Sequence, residues 1–346
     1  MTREFLGFAH TLATTLVLSM LSNPAAAQRS TTPEENWTPP QTAWGDPDLQ
    51  GVWNSGNQSE TPFERPDEFG VNLTTEQVEQ ILADRHAGVD TAEERAAREA
   101  RWDQLGGRDT GAGPVHWYEI LSPKNSRPWL VVEPPNGKVP AMTSEGQDRV
   151  RAQRASFARG VDELWPEWTF AELRPWLRCI TRQGLPGMMI PTGYNNNYQI
   201  FQTSEHIVIV YEMIHDARII PIVNGIDEHP HIPDNMRQWL GDSRAYWEDN
   251  TLVVDVKNFN GKAPYRGSGE TLNLIERFTR TGPDTIEWKV TVDDDTTWSA
   301  PWAFAMDLAK EDHAIFEYGC HEGNHAIQNI INGYENRAEV DDAAHE

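Results

Sequence analysis

The stretch "IVYEMIHDARII" (209–220) starts as an Ile/Val strand and then sets Glu212, His215, Asp216 and Arg218 within seven positions. An imidazole and a carboxylate are the commonest groups for moving protons, so His215 and Glu212 are candidates for general acid/base work. Strict strand alternation puts Tyr211, Met213 and His215 on one face and Glu212, Asp216 and Arg218 on the other. It therefore predicts an interior His215 and, on the opposite side, an Asp216–Arg218 ion pair holding the strand.

Other segments carry comparable chemistry. In "GCHEGNH" (319–325), His321 and Glu322 sit beside Cys320 as a second acid/base pair. "PTGYNNNYQIF" (191–201) presents Tyr194, Asn195 and Asn197, either as a hydrogen-bonded turn or as amide and aromatic contacts to a polar ligand. "DEHPHIP" (227–233) adds His229 and His231, which with His215 would give three imidazoles. A His-x-His pair in a loop falls short of a zinc signature, and no H-E-x-x-H or cysteine cluster accompanies it. The sequence thus predicts no metal and no organic cofactor. It has no nucleophile elbow, P-loop or dinucleotide fingerprint.

Stepping outward to the elements, the chain from about 198 reads as antiparallel β, with strands at roughly ten-residue spacing and turn signals between them. Alternation gives inward rows of Leu252, Val254, Val256 and Asn258; Leu272, Leu274, Glu276 and Phe278; Ile286, Trp288, Val290 and Val292; and Trp298, Trp302, Phe304 and Met306. Asn258 and Glu276 are the polar members of these rows. Buried polar groups need partners, so both are candidates to face a ligand, Glu276 as a proton carrier. Fourteen tryptophans favour flat apolar walls, with Trp298 and Trp302 the candidates for stacking on a ligand. Helix is expected at 74–105, opened by a Thr74/Gln77 capping box, and at 143–158, with a basic face turned to solvent or to the excess acids. "RPWLVVEPPNGKVPAM" (127–142) is expected to be a hairpin, and "AIFEYGC" (314–320) a last strand.

The N-terminus has the layout of an export signal over 1–27: Arg3, an apolar stretch at 11–21 too short to span a bilayer, and Ala25 and Ala27 at small-residue cleavage positions. A Pro/Thr-rich arm follows at 28–50, then a single mainly-β domain over 51–346. A formal net charge of -24 argues against nucleic acid as a partner. In an oxidising compartment the two cysteines, Cys179 and Cys320, are expected to be bridged. On the chain-entropy model, a loop of that length stabilises by about 4–5 kcal/mol.

"LQGVWN" (49–54), followed by up-and-down strands, resembles the Gly-x-Trp opening of lipocalin-like (calycin) β-barrels. "PDLQGVW", "YNNNYQIFQT", "EMIHDARIIP" and "YGCHEGN" together are similar to a family of exported bacterial proteins. The resemblance implies export and β architecture, and carries no activity to these residues. The expectation is a mainly-β protein, periplasmic or secreted, built as an antiparallel barrel or barrel-like sheet with a helical, loop-rich N-terminal wrap. It would bind a small aromatic or partly apolar molecule and act on it, if at all, by acid/base chemistry as a lyase, isomerase or hydrolase. A carbohydrate-active or carbohydrate-binding protein and a non-catalytic envelope binding protein are the alternatives.

Overall fold

A computed structural model describes residues 37–88, 127–162, 173–225, 230–325, 327–329 and 332–333. The expected signal, the part of the expected 74–105 helix beyond residue 88 and His229 lie outside the described residues.

The centre of the structure is a ten-stranded antiparallel sheet. Its strands are β1 (Gly51–Asn54), β2 (Val131–Glu133), β3 (Asn197–Gln202), β4 (His206–Tyr211), β5 (Ala217–Pro221), β6 (Asp242–Glu248), β7 (Thr251–Lys257), β8 (Asn273–Gly282), β9 (Thr285–Asp293) and β10 (Trp302–Glu311). They run in the order β5-β4-β3-β1-β10-β9-β8-β7-β6, with β2 beside β1 on the same edge of β10. The two outer strands approach each other at a parallel bridge between Ile222 and Ala245, where the Val223 amide donates to the Ala245 carbonyl (2.7 Å).

Period-two alternation produces the core. In β8, Leu274, Glu276, Phe278 and Arg280 are buried in turn, and in β9 so are Ile286, Trp288, Val290 and Val292. With Trp53, Tyr198, Tyr211, Trp302 and Phe304 they fill the concave side of the sheet. Trp288 meets Phe304 edge-on with centroids 5.5 Å apart, an arrangement aromatic quadrupoles favour. Near the β8–β9 turn, Arg280 donates to the carbonyls of Asp48 (2.9 Å) and Pro283 (2.6 Å) and tethers the N-terminal arm there.

Helix α1 (Thr75–Gly88) starts at the expected capping box: Thr74 Oγ1 accepts from the Gln77 amide (3.3 Å) and Gln77 Oε1 from the Thr74 amide (2.9 Å). Helix α2 (Ser144–Asp162) covers the second expected helix, but its Arg149 is neither solvated nor spent on acids alone. Besides Glu145, Arg149 donates to the Gly267 carbonyl (2.9 Å) and to Thr297 Oγ1 (2.6 Å), pinning α2 to two loops. Gly146 lies so close to Thr297 that a Cβ would sit 2.7 Å from its carbonyl oxygen, so only glycine permits this approach.

Four expectations are corrected. β4 and β5 are not one strand, because Met213–His215 forms a tight turn with Ile214 at φ 66° and His215 at φ 58°, which reverses the chain and resets which residues face inward. The 127–142 segment makes no hairpin of its own: β2 pairs with β10, and Met142 bridges to Trp298. Residues 314–320 form no strand. Trp298 belongs not to a strand but to the Asp294–Trp298 turn, where the Thr297 and Trp298 amides both donate to the Asp294 carbonyl.

Cys179 and Cys320 are bonded, joining the segment before the "YNNNY" turn to the strip after β10. Thiol titration of the protein unfolded without reductant should therefore find no free cysteine. Cys179→Ser together with Cys320→Ser should lower stability by about 2–4 kcal/mol in denaturant unfolding.

Candidate functional site

Residues from β4 and β5 enter a buried polar cluster. Arg218 on β5 points inward, and its guanidinium forms a fork on Glu276 of β8 (Nη2–Oε2 2.6 Å, Nη1–Oε1 3.3 Å), with side chains 4% and 0% exposed. Nη2 also donates to Ser243 Oγ (2.9 Å) and Nη1 to the Tyr211 hydroxyl (3.4 Å), while Trp288 Nε1 donates to Glu276 Oε1 (3.2 Å). Burial opposes the Arg218 charge, but Glu276 and Tyr211 more than offset it and the guanidinium is held charged above its ordinary range. Burial pushes the Tyr211 phenol up to about 12. The expected Asp216–Arg218 pair is thus replaced by Arg218–Glu276. Asp216 instead accepts from the Ala217 amide (2.8 Å), and His215, expected inside, is exposed on the turn. Glu276 has both oxygens committed and meets no solvent.

Glu212 is also buried, in a different network. Asn197 Nδ2 donates to its Oε2 (2.5 Å) and the Phe316 amide to its Oε1 (3.2 Å), while Asn54 Nδ2 donates to Asn197 Oδ1 (2.6 Å). Glu212 therefore fastens the strip after β10 to the ends of β1 and β3. Asn195 takes a left-handed backbone (φ 54°), and the Asn196 side chain closes onto Thr192, so the Asn run forms a turn. His321 and Glu322 are exposed on the strip. Asn258 is buried at φ 59° and donates to the Ile232 carbonyl (2.7 Å). The acid/base candidates are thus dispersed. Glu212 and Glu276 are buried in separate hydrogen-bond networks, while His215, His321 and Glu322 are exposed.

His231 lies against the outer face of β6 and β7. Its Nδ1 is 2.8 Å from Asp242 Oδ2 and its Nε2 3.6 Å from Asp255 Oδ2. Arg244 pairs with Asp242 (2.7 Å) and Lys257 with Asp255 (3.2 Å). The neighbouring Asp255 carboxylate raises the imidazole pKa against an opposing burial effect, with the hydrogen-bonded Asp242 adding to the rise. Burial works to raise the Asp255 carboxyl, but His231 and Lys257 outweigh it and lower it. Among the described residues, no group of three or more His, Cys, Asp or Glu is arranged to hold a metal ion.

A cleft of about 480 Å³ opens beside Trp298. Its walls include Met142, Val139 and Pro140, with Val150 of α2 alongside. Arg174, Arg266 and Glu64 supply its charge. The Arg266 guanidinium stacks on Phe63, 3.8 Å from the ring centroid, and forms no ion pair among the described residues. Behind Trp298 lies Trp302, edge-on at 5.4 Å and fully buried. Of the two expected stacking residues, Trp298 therefore lines the cleft and Trp302 supports it. Arg266 and Phe63 escaped the sequence reading because each sits in a Pro/Gly-rich loop, where no periodicity marks a face.

No family model matches the chain, and neither a curated protein nor a solved structure matches it.

Two outcomes follow from these networks. Arg218→Ala would strand a buried carboxylate and should cost about 3–5 kcal/mol in denaturant unfolding, and His215→Ala, at an exposed turn, much less. His231 has a raised folded pKa, so its stabilisation is complete below the ordinary value of 6.5 and is lost as pH rises through the folded value. Asp255 has a lowered one, so its share is present above the ordinary 3.8 and is lost as pH falls through the folded value. His231→Gln should thus lower the melting temperature more at pH 5.5 than at pH 9, read by thermal melts of both proteins.

Proposed function

We propose that this is an exported, periplasmic or secreted protein that binds a small, partly apolar molecule carrying an acidic group, in the cleft beside Trp298. The observation that carries the reading is Arg266: a guanidinium held over an aromatic ring, without an ion pair among the described residues, at the edge of an apolar wall, in a protein of net charge -24. Although Glu64 also lines the cleft, it forms no ion pair with Arg266 among the described residues, and a guanidinium left without an ion pair at the cleft edge is a natural anchor for an anionic ligand. Its planar fork suits a carboxylate or sulfonate. Stacking on Phe63 fixes the fork at little further entropic cost. Met142, Val139 and Pro140 provide the surface for the apolar body, with the buried Trp298 backing them.

In this reading the sheet serves as a lipocalin-like, barrel-like scaffold. The Ile222–Ala245 bridge and the link from Arg218 to Ser243 of β6 support that shape. The interior is filled by Trp53, Trp288, Trp302 and Phe304, so the ligand sits at the rim and not within. The Cys179–Cys320 bridge supports an oxidising compartment. The dispersal of His215, Glu212, Glu276, His321 and Glu322 favours binding over acid/base catalysis.

The test uses 1-anilinonaphthalene-8-sulfonate and its uncharged counterpart N-phenyl-1-naphthylamine, followed by fluorescence. Arg266→Ala should weaken the sulfonate about tenfold, the size of one lost charge-assisted hydrogen bond, and leave the neutral probe unchanged. Met142→Glu should weaken both. Equal sulfonate binding by wild type and Arg266→Ala would overturn the reading.

A further inference from the structure

The connection from β5 to β6 is fastened by groups that the Trp298 cleft does not use. Its described part after Ile222 includes residues 230–241, which run as a strap alongside the end of β7 and are held at two points. At the far point the Gln238 amide donates to the Asn258 carbonyl (2.9 Å) and the Asn260 amide to the Gln238 carbonyl (2.8 Å). Arg237 pairs there with Glu270 (3.2 Å). At the near point Asp242 Oδ2 takes both His231 Nδ1 (2.8 Å) and the Ile232 amide (3.1 Å), and Asn258 Nδ2 donates to the Ile232 carbonyl (2.7 Å). Of the two points, only the near one holds a side chain that ordinarily titrates in the neutral range.

The groups facing His231 set what each of its protonation states can do. Among the described residues, β6 contributes Asp242, whose Oδ1 is held by Arg244 (2.7 Å). β7 contributes Asp255, whose Oδ2 is held by Lys257 (3.2 Å). Tyr246, further along β6, is within electrostatic reach of Asp255 and stays an uncharged phenol at neutral pH. On the strap itself Asp234 is exposed and Arg237 is engaged at the far point. Because Asp242 only accepts, the neutral imidazole keeps its proton on Nδ1 and turns the Nε2 lone pair toward Asp255 Oδ2, 3.6 Å away. The three side chains are at most 12% exposed, so water screens that repulsion poorly. The imidazolium instead presents an N–H to a carboxylate on each side. Nε2 has no hydrogen-bond partner among the described residues that could take over when the proton leaves. Asp255 is accordingly the first cause of the raised imidazole pKa. With a raised folded value, the hold is complete below the ordinary 6.5 and is lost as pH rises through the folded value.

We propose that the 230–236 part of this strap is a pH-sensitive latch, clamped between Asp242 and Asp255 by the His231 imidazolium and released locally at alkaline pH while the bridge at Gln238 holds. The test is hydrogen–deuterium exchange of the whole protein at pH 5.5 and pH 9, corrected for the intrinsic pH dependence of exchange. The Ile232 amide reports the near point, and the Gln238 and Asn260 amides the far one. Ile232 protection should fall about tenfold between the two pH values, the size of one lost charge-assisted hydrogen bond, while Gln238 and Asn260 keep theirs. Asp255→Asn removes the charge that the Nε2 lone pair would face, so Ile232 should stay protected at both pH values. His231→Gln should make its protection independent of pH. Equal Ile232 protection at pH 5.5 and pH 9 in the wild type overturns the proposal. So does an equal loss at Gln238 and Asn260, which would mark a general loosening, or a pH dependence that survives in Asp255→Asn. If a variant does not fold, the wild-type comparison of Ile232 with Gln238 and Asn260 decides alone.

Discussion

The interaction on which the structure most depends is the fork of Arg218 on Glu276. A charge placed inside an aromatic core is costly unless its partner and its hydrogen bonds are complete. Here Tyr211, Ser243 and Trp288 complete most of them, leaving only Arg218 Nε without a partner. The participants come from β4, β5, β6, β8 and β9. One cluster therefore fixes strands from opposite ends of the sheet order relative to one another, where backbone pairing between β5 and β6 supplies a single bridge. Burying polar groups here limits the register to one solution, because a slip of one residue would expose Ile220 and leave Glu276 charged and alone.

With the interior filled by apolar side chains, the cleft beside Trp298 lies among the loops at one end of the sheet. The loops at one end of the sheet are held by side chains bonded to backbone: Arg149 to Gly267, Asp294 to Gly269, and Glu212 to Phe316. Burial would raise the Asp294 carboxyl, yet the hydroxyls of Thr297, Thr296 and Thr271 and the Gly269 amide hold it below its ordinary range. Such loops present fixed surfaces, as ligand contacts require. The Trp298 cleft, with Val150 of α2 in its lining, is a product of this arrangement.

Much of this was legible in the sequence where a periodic signal existed. The inward rows of β7, β8 and β9, the Thr74/Gln77 capping box and the cysteine pairing all follow from local pattern or composition, because period-two burial, reciprocal capping and an isolated cysteine pair each rest on short-range or compositional rules. Glu276 was correctly identified as an inward polar residue needing a partner. Which partner it finds was not written in its own strand.

What the sequence determined by itself was therefore the class of the fold and the burial of particular side chains, since both depend on alternation along a strand. The tertiary structure decided the rest. A tight turn with two left-handed residues, Ile214 and His215, ended the alternation at the point where the polar residues begin. That reversal turned Arg218 inward, His215 outward and Asp216 onto the backbone. Pairing between residues 58 positions apart then selected Glu276 over the nearby Asp216, because only the interior acid could meet the full fork while excluded from water. Arg266 lies in a loop without period, so its stacking on Phe63 at the edge of the Trp298 cleft emerges only when the chain is folded.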